Sequence, residues 1–342
     1  MDENYAITAG INNYPGISSL RGPENDATWF HEWLVSNKLV DPDKNASLIL
    51  GSQFTGTAES IDSQPDIMVI NRAFERLLRI GRSKSRIGKR LYLFFAGHGF
   101  GPDLNTSALL ASNADLLLGT TGHHLNAVEY ADWFAAAAYF DEIVLFMDCC
   151  RDDMPRAPLG QAPWQSVHNV RGGQVKRFYG LATRWAKKAR EAEAANGDVH
   201  GYFTQALMGA LDGGAVTADG RLNTADVTRY VLNYFTQRVK PKLDAIGAGF
   251  DEPQFLPKDE FAMAEGLATK LTAVTVQFQA PAAAASNGYS IFGGSPNLLR
   301  PNTGGANPWR LELPMGHYAL MNPDGQSASE FDAFGEAVDL HV

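Results

Sequence analysis

From Asn4 to Glu260, short apolar runs alternate with stretches of helical spacing. Tyr5–Ile11, Ser47–Leu50, Arg90–Ala96 (RLYLFFA), Glu142–Asp148 and Phe178–Thr183 (FYGLAT) are brief, rich in β-branched and aromatic residues, and bounded by turn residues. Continuous apolar runs of this length predict strands buried on both faces. Ala108–Ala111 predicts a further short strand. Between the strands, Phe30, Trp33 and Leu34 predict a helix over Ala27–Asn37. Ile67, Ile70, Phe74, Leu77 and Leu78 share one face of a helix inside Ser60–Arg82, opened by Gln64-Pro65-Asp66. Asn126–Tyr139, Gly201–Leu211 and Thr224–Val239 complete the helical set. Strands alternating with helices imply crossover connections, hence an α/β fold with a mostly parallel central sheet.

The pattern breaks in three places. Arg151–Arg177 carries prolines, glycines and basic residues without apolar periodicity, which predicts a long exposed loop. Trp185–Asn196 (WAKKAREAEAAN) fits either a surface helix or a second mobile loop. After Met263 the style changes. Leu271–Phe278 alternates as a half-exposed strand does, and Trp309–Leu313 and His317–Met321 flank a Pro314–Gly316 turn. The expected division is therefore an α/β domain over 1–262, with a large segment to about 150 and a small one from 178, and a small β-rich domain over 263–342. No solenoid-type repeat is present.

Composition changes this picture little. Of 342 residues, 45% are hydrophobic and 20% charged, as in ordinary globular chains. The net charge of −9 and the lack of a Lys/Arg-rich face argue against a nucleic-acid partner. No apolar run reaches the length of a membrane span. The opening residues MDENYAITAG do not have the form of a secretory signal. Only two cysteines occur, and they are adjacent, so no disulfide framework is expected. The cytoplasm is the expected compartment, where a free thiol persists.

Those two cysteines stand where chemistry is expected. Asp148, Cys149 and Cys150 end a buried strand, and open α/β sheets bind ligands outside the carboxyl ends of their strands. A second buried strand ends in Gly97-His98-Gly99. If the two strands are neighbours, His98 and a cysteine face one crevice. An imidazole there takes the thiol proton or lowers its pKa, and the thiolate attacks carbonyl carbon. The backbone N–H groups of Gly99 and Cys150 are candidates for an oxyanion hole.

These residues resemble those of the caspase–metacaspase clan of cysteine peptidases, in its prokaryotic form more than its animal form. Phe95-Ala96-Gly97-His98-Gly99 is similar to the family's histidine turn, and Asp148-Cys149-Cys150 to its Asp-x-Cys motif. Leu20–Ala27 (LRGPENDA) resembles the segment after the first strand, and His200–Leu207 (HGYFTQAL) the start of the small-segment helix. His98 lies about 50 residues upstream of Cys150, as in caspases. The four matches keep the family's order and span roughly Asn4 to Glu260.

The resemblance implies a caspase-like three-layer sandwich and a cysteine endopeptidase with a Cys150–His98 dyad, Cys149 being the variable neighbour. It implies that Asp26 and Asp148 line the S1 pocket, so the protein substrates would carry Arg, with Lys second, at the cleavage site. Asp26 also has an alternative role as a cap of the first helix. Family members are often cut between their large and small segments. Arg151, Arg156, Arg171, Lys176 and Arg177 are therefore candidate self-processing sites, with Arg184, Lys187, Lys188 and Arg190 in the next loop. An upstream activating protease or a regulator is a further possible partner. The prokaryotic form suits a bacterial defence or stress-signalling protein, acting as a monomer.

Two departures stand out. Arg151-Asp152-Asp153 replaces the family's usual His-Ser-Gly after the nucleophile. The acids Asp103, Asp115, Asp152 and Asp153 are scattered rather than spaced as a calcium loop, so no cofactor and no calcium dependence are expected. His123-His124 reads as part of a loop rather than a metal site, Asp219–Asn223 as a turn, and Trp29 and Trp33 as core. The alternative to an enzyme is a catalytically silent interaction module on the same fold.

Overall fold

The structure is a computed structural model that describes residues 3–54, 60–101, 106–115, 123–150, 160–165, 167, 169–184, 189–193, 197–269, 271–280, 282–293, 298–314, 316–333 and 337–342. The chain divides into two compact units. The first comprises Met1–Ala206 and Leu232–Glu260; the second comprises Leu207–Val231 and Phe261–Val342.

The first unit is built on a six-stranded sheet. In chain order its principal elements are β1 (Asn4–Gly10), α1 (Pro23–Ser36), β2 (Ala46–Leu50), α2 (Ile67–Ser83), β3 (Gly88–Gly97), α3 (Ala127–Ala137), β4 (Phe140–Cys149), β5 (Lys176–Leu181), β6 (Glu191–Glu193), β7 (Val199–Gly201), α4 (Tyr202–Gly209, which runs on into the second unit) and β8 (Gln254–Lys258). The strand order is β8-β5-β4-β3-β1-β2, and every pairing is parallel except that of the edge strand β8. The mostly parallel sheet expected from the alternating pattern is present.

Consecutive residues of the central strands explain the three layers. On β3, Phe94 stacks on Phe30 of α1 with ring centroids 5.0 Å apart. The next residue, Phe95, meets Phe74 of α2 on the opposite face at 6.4 Å. Side chains alternate across a pleated strand, so a strand covered by helices on both sides must be apolar at every position. That is why RLYLFFA and IVLFM carry no polar alternation. Asp66 starts α2 by accepting the Val69 N–H at 2.9 Å, as Gln64-Pro65-Asp66 predicts.

Three expectations are corrected in detail. Helix α1 begins at Pro23 rather than Ala27, because proline suits the first turn, where its missing N–H has no intrahelical partner. Within Trp185–Asn196, the surface helix does not form where the chain is described: Glu191–Glu193 pairs with Val199–Gly201 as an antiparallel hairpin. The loop from Arg151 closes before Lys176, since Lys176 and Arg177 belong to β5 in the central sheet.

The second unit contains two small C-terminal sheets. Their strands are β9 (Leu271–Gln277), β10 (Ser290–Gly293), β11 (Leu298–Pro301), β12 (Trp309–Pro314), β13 (Gly316–Met321), β14 (Ser327–Ala333) and β15 (Val338–His341), ordered β12-β9-β15 and β11-β10-β13-β14. Trp309–Pro314 and Gly316–Met321 are both strands, but they pair into different sheets rather than with each other. Val274, Val276, Ile291, Leu313, Tyr318 and Leu320 form its core. Among the described residues of the chain, no helix is long and apolar enough to cross a membrane.

Candidate active site

Register brings the two reactive strand ends together. β3 and β4 are neighbours, with Ala96 opposite Asp148 and Gly97 opposite Cys149. The next residue on each strand is His98 on one side and Cys150 on the other. Both line one solvent-open cavity, together with Asp26, Asp148, Arg190 and Glu191. The four principal residues read from the sequence, His98, Cys150, Asp26 and Asp148, thus meet in one place.

The histidine turn is fixed from several sides. Gly97 has a φ of +153°, which L side chains rarely adopt, and a Cβ there would strike the Tyr14 hydroxyl. Tyr14 is fully buried; its hydroxyl accepts the His98 N–H at 3.0 Å and donates to the Leu110 carbonyl at 3.1 Å. Its ring packs edge-on to the imidazole at 4.8 Å. The His98 carbonyl accepts the Leu110 N–H at 2.8 Å. His98 Nε2 lies 2.6 Å from the Ser18 carbonyl. A carbonyl only accepts, so Nε2 carries the hydrogen, and in the neutral ring Nδ1 holds the lone pair. Gly99 passes so close to the neighbouring strand end that a Cβ would sit 2.7 Å from that of Cys149 and 2.9 Å from the Cys150 carbonyl oxygen.

The two cysteines have different surroundings. Cys149 is 1% exposed in the apolar core, and its thiol points to the Phe95 carbonyl at 3.6 Å. Burial, with Asp148 close by, pushes that thiol well above its ordinary range, so it stays protonated. Cys150 is half-buried at the cavity, with its Sγ 3.7 Å from the Ala189 carbonyl oxygen.

The two acids are buried but anchored. Asp26 lies within α1 rather than at its start, so it is not the helix cap. Its Oδ1 lies 2.8 Å from His200 Nδ1, and its Oδ2 accepts the Gly201 N–H at 3.0 Å. Burial raises its carboxyl to about 6 against the pull of His200. Asp148 Oδ2 accepts both the N–H and the hydroxyl of Thr204, at 3.0 and 2.7 Å. Thr204 is in the first turn of α4, where the helix dipole favours an anion. Even so, burial and then the nearby Asp26 charge raise Asp148 to about 7. Gly201 is required here, since a Cβ would run into the Asp148 carboxylate.

Tyr14, Ser18, Glu191, His200 and Thr204 were not singled out as site residues by the sequence. His200 and Thr204 do fall inside the HGYFTQAL segment, and Tyr14 and Ser18 just before LRGPENDA. Glu191, in the hairpin that flanks the cavity, accepts the Gly22 N–H at 2.9 Å.

The remaining candidates lie elsewhere. Arg171 is exposed and reaches Asp141 at 3.3 Å. Lys176 reaches the Glu260 carbonyl, and Arg177 is bound to Asp132 and Asp259. Arg184 meets Asp251 and Glu252. Arg151, Asp152, Asp153, Arg156, Lys187, Lys188 and Asp103 lie outside the described residues. Among the described residues, no group of three His, Cys, Asp or Glu side chains could hold a metal ion. His123 and His124 do not converge: His123 Nδ1 donates to the Asn113 carbonyl, whereas His124, in the strand His124–Asn126, accepts the Gly160 N–H.

No protein-family model matches the sequence, and no curated protein matches it. Among solved structures, the crystal structure of caspase-1 from Spodoptera frugiperda aligns at 12% identity over 75% of this chain and 87% of that chain, with a TM-score of 0.47. A structure described as pro-sf-caspase-1 aligns at 15% identity over 75% of this chain and 92% of that chain, with a TM-score of 0.44.

Proposed function

We propose that this chain is a cysteine endopeptidase that cuts after Arg, with Lys second, using Cys150 as nucleophile and His98 as its acid–base partner. The observation that carries the reading is the strand register, Gly97 opposite Cys149, which sets both residues at one cavity with two buried acids. His98 Nδ1 takes the Cys150 proton while Ser18 holds the Nε2–H side of the ring. The Cys150 sulfur attacks the carbonyl carbon, and the Gly99 and Cys150 N–H groups receive the developing oxyanion, each worth about 10²–10³ in rate. His98 then protonates the leaving amine. Water, deprotonated by His98, releases the acyl group.

Asp26 and Asp148 select the cationic side chain. Each carboxylate has oxygens held by protein donors, yet burial resists their ionisation. An arriving guanidinium supplies further countercharge with directional bonds. The test is a panel of peptides differing only in Arg, Lys, citrulline or Asp before the scissile bond. Arg should be fastest and Lys second; faster turnover of the Asp peptide would sink the reading. Activity should survive a chelator, because no step uses a metal.

Self-processing belongs to the same reading. Arg177 is unsuited to it, since its backbone is paired within the central sheet. Among the described candidates, Arg171, on an exposed turn, is the better site, and Arg151 and Arg156 stay candidates from the sequence.

A further inference from the structure

We infer that His200 is a positioning residue that ties acceptance of a cationic side chain at Asp26 to the protonation of its own ring. The inference rests on the reading of Asp26 and Asp148 as the pocket for a basic side chain. Both oxygens of Asp26 are held by β7: Oδ1 by His200 Nδ1 and Oδ2 by the Gly201 N–H. His200 is buried, and the ring of Trp29, one turn along α1 from Asp26, lies against it at 4.9 Å. The imidazole is thus fixed behind the carboxylate rather than in the cavity, whose lining includes Asp26 and Gly201 but not His200.

The chemistry of the ring turns this geometry into a two-state device. Nδ1 faces a carboxylate oxygen, so it carries a hydrogen whether the ring is charged or neutral; only Nε2 gains or loses a proton. The hydrogen bond persists in both states while the charge changes. With an imidazolium, Asp26 and His200 form a neutral pair, and an arriving guanidinium finds a carboxylate already compensated. With a neutral imidazole, the Asp26 charge is available to the substrate. Among the described residues, the other ionisable groups facing this pair are Asp148 from β4, Glu191 from β6, Asp198 before β7, and Arg190 at the cavity. The acids hold the proton on His200 longer than water would: the Asp26 hydrogen bond leads in raising its pKa, against burial, and Asp198 and Asp148 add to it. The toggle therefore works at a higher pH than that of an ordinary imidazole.

The experiment compares kcat/KM for an Arg peptide and its citrulline isostere, from about pH 5.5 to about pH 8.5, with wild-type protein and His200→Asn. The Asn Nδ2–H reproduces the Nδ1–H donor without the charge. Both peptides use the same dyad, so the Arg/citrulline ratio cancels the ionisation of Cys150 and His98. The wild-type ratio should climb about tenfold or more with pH, mostly through KM, since one titrating group gives up to about tenfold per pH unit. In His200→Asn the part of the pH dependence due to the imidazolium should vanish, leaving only the slope due to Asp26 and Asp148, so that the two ratios diverge toward the acidic end and meet at the alkaline end. Superimposed profiles, or a flat wild-type ratio, overturn the inference while leaving the peptidase reading intact. Failure of wild type to cleave the Arg peptide at any pH removes the peptidase reading itself, and the inference with it. If His200→Asn does not fold, the His200 ring is titrated by NMR in wild type. Its midpoint should coincide with a rise in the Arg/citrulline ratio, and a ratio that does not change where the ring titrates overturns the inference.

Discussion

At the scale of single residues, neighbours in sequence have unlike chemistry because the strand pleat sends them to opposite sides. Cys149 points into the apolar core and Cys150 into the cavity. Replacing Cys150 with Ala should abolish turnover, and His98→Ala should cost about 10²–10⁴ in kcat, read in steady-state kinetics. Cys149→Ala should keep the chemistry and lose stability by about 1–2 kcal/mol, since it only removes buried volume. Asp148 carries a cost in the ligand-free fold. Its folded pKa, about 7, lies above the ordinary carboxylate value. A group raised in this way contributes stability that is full below about pH 4 and lost as pH rises through about 7. Asp26, raised to about 6, and His200, also raised, act in the same direction. Thermal melts should therefore fall between about pH 5 and about pH 8. Asp148→Asn keeps an acceptor for Thr204, so it should flatten that decline and raise Tm by a few degrees at about pH 8, while KM for the Arg peptide rises more than about tenfold. An unchanged slope would show that Asp148 is not held against its ionisation.

At the scale of elements, the strand ends position the site and glycines allow the close approaches. The apolar runs, the Gly-His-Gly turn and the Asp-Cys-Cys strand end were legible because strands buried on both faces tolerate no polar break. The edge strand Gln254–Lys258 was not. It is five residues long, contains Pro257, and needs no unbroken apolar run because it is the edge of the sheet. The hairpin at Glu191–Glu193 was also hidden, because its alanine and charged residues favour a helix locally and the tertiary pairing with Val199–Gly201 overrides that preference. Gly201→Ala should push the Asp148 carboxylate out of place. A rise in KM for Arg substrates with little change in reactivity of Cys150 toward iodoacetamide is the expected signature. Loss of both together would mean that the helix start, not the pocket, depends on this glycine.

At the scale of the whole molecule, the residue-level expectations converge on the first unit, whose sheet carries His98, Cys150 and Asp148 while the flanking α1 carries Asp26. The alternation of elements was sufficient to read a mostly parallel sheet but not its strand order, and partners of the acids, His200 and Thr204, come from a segment far along the chain and are revealed only by folding. A purified wild-type sample should accumulate a nick in 151–171, mapped by N-terminal sequencing, and Cys150→Ala should remain a single chain. Equal nicking of both would assign the cut to another protease. The most direct measurement of the central claim is peptide mapping after treatment with an Arg-based electrophilic ketone. A single adduct on Cys150, absent from Cys149 and greatly slowed in His98→Ala, is predicted. No adduct on Cys150, or faster labelling by the corresponding Asp-based probe, would contradict the account.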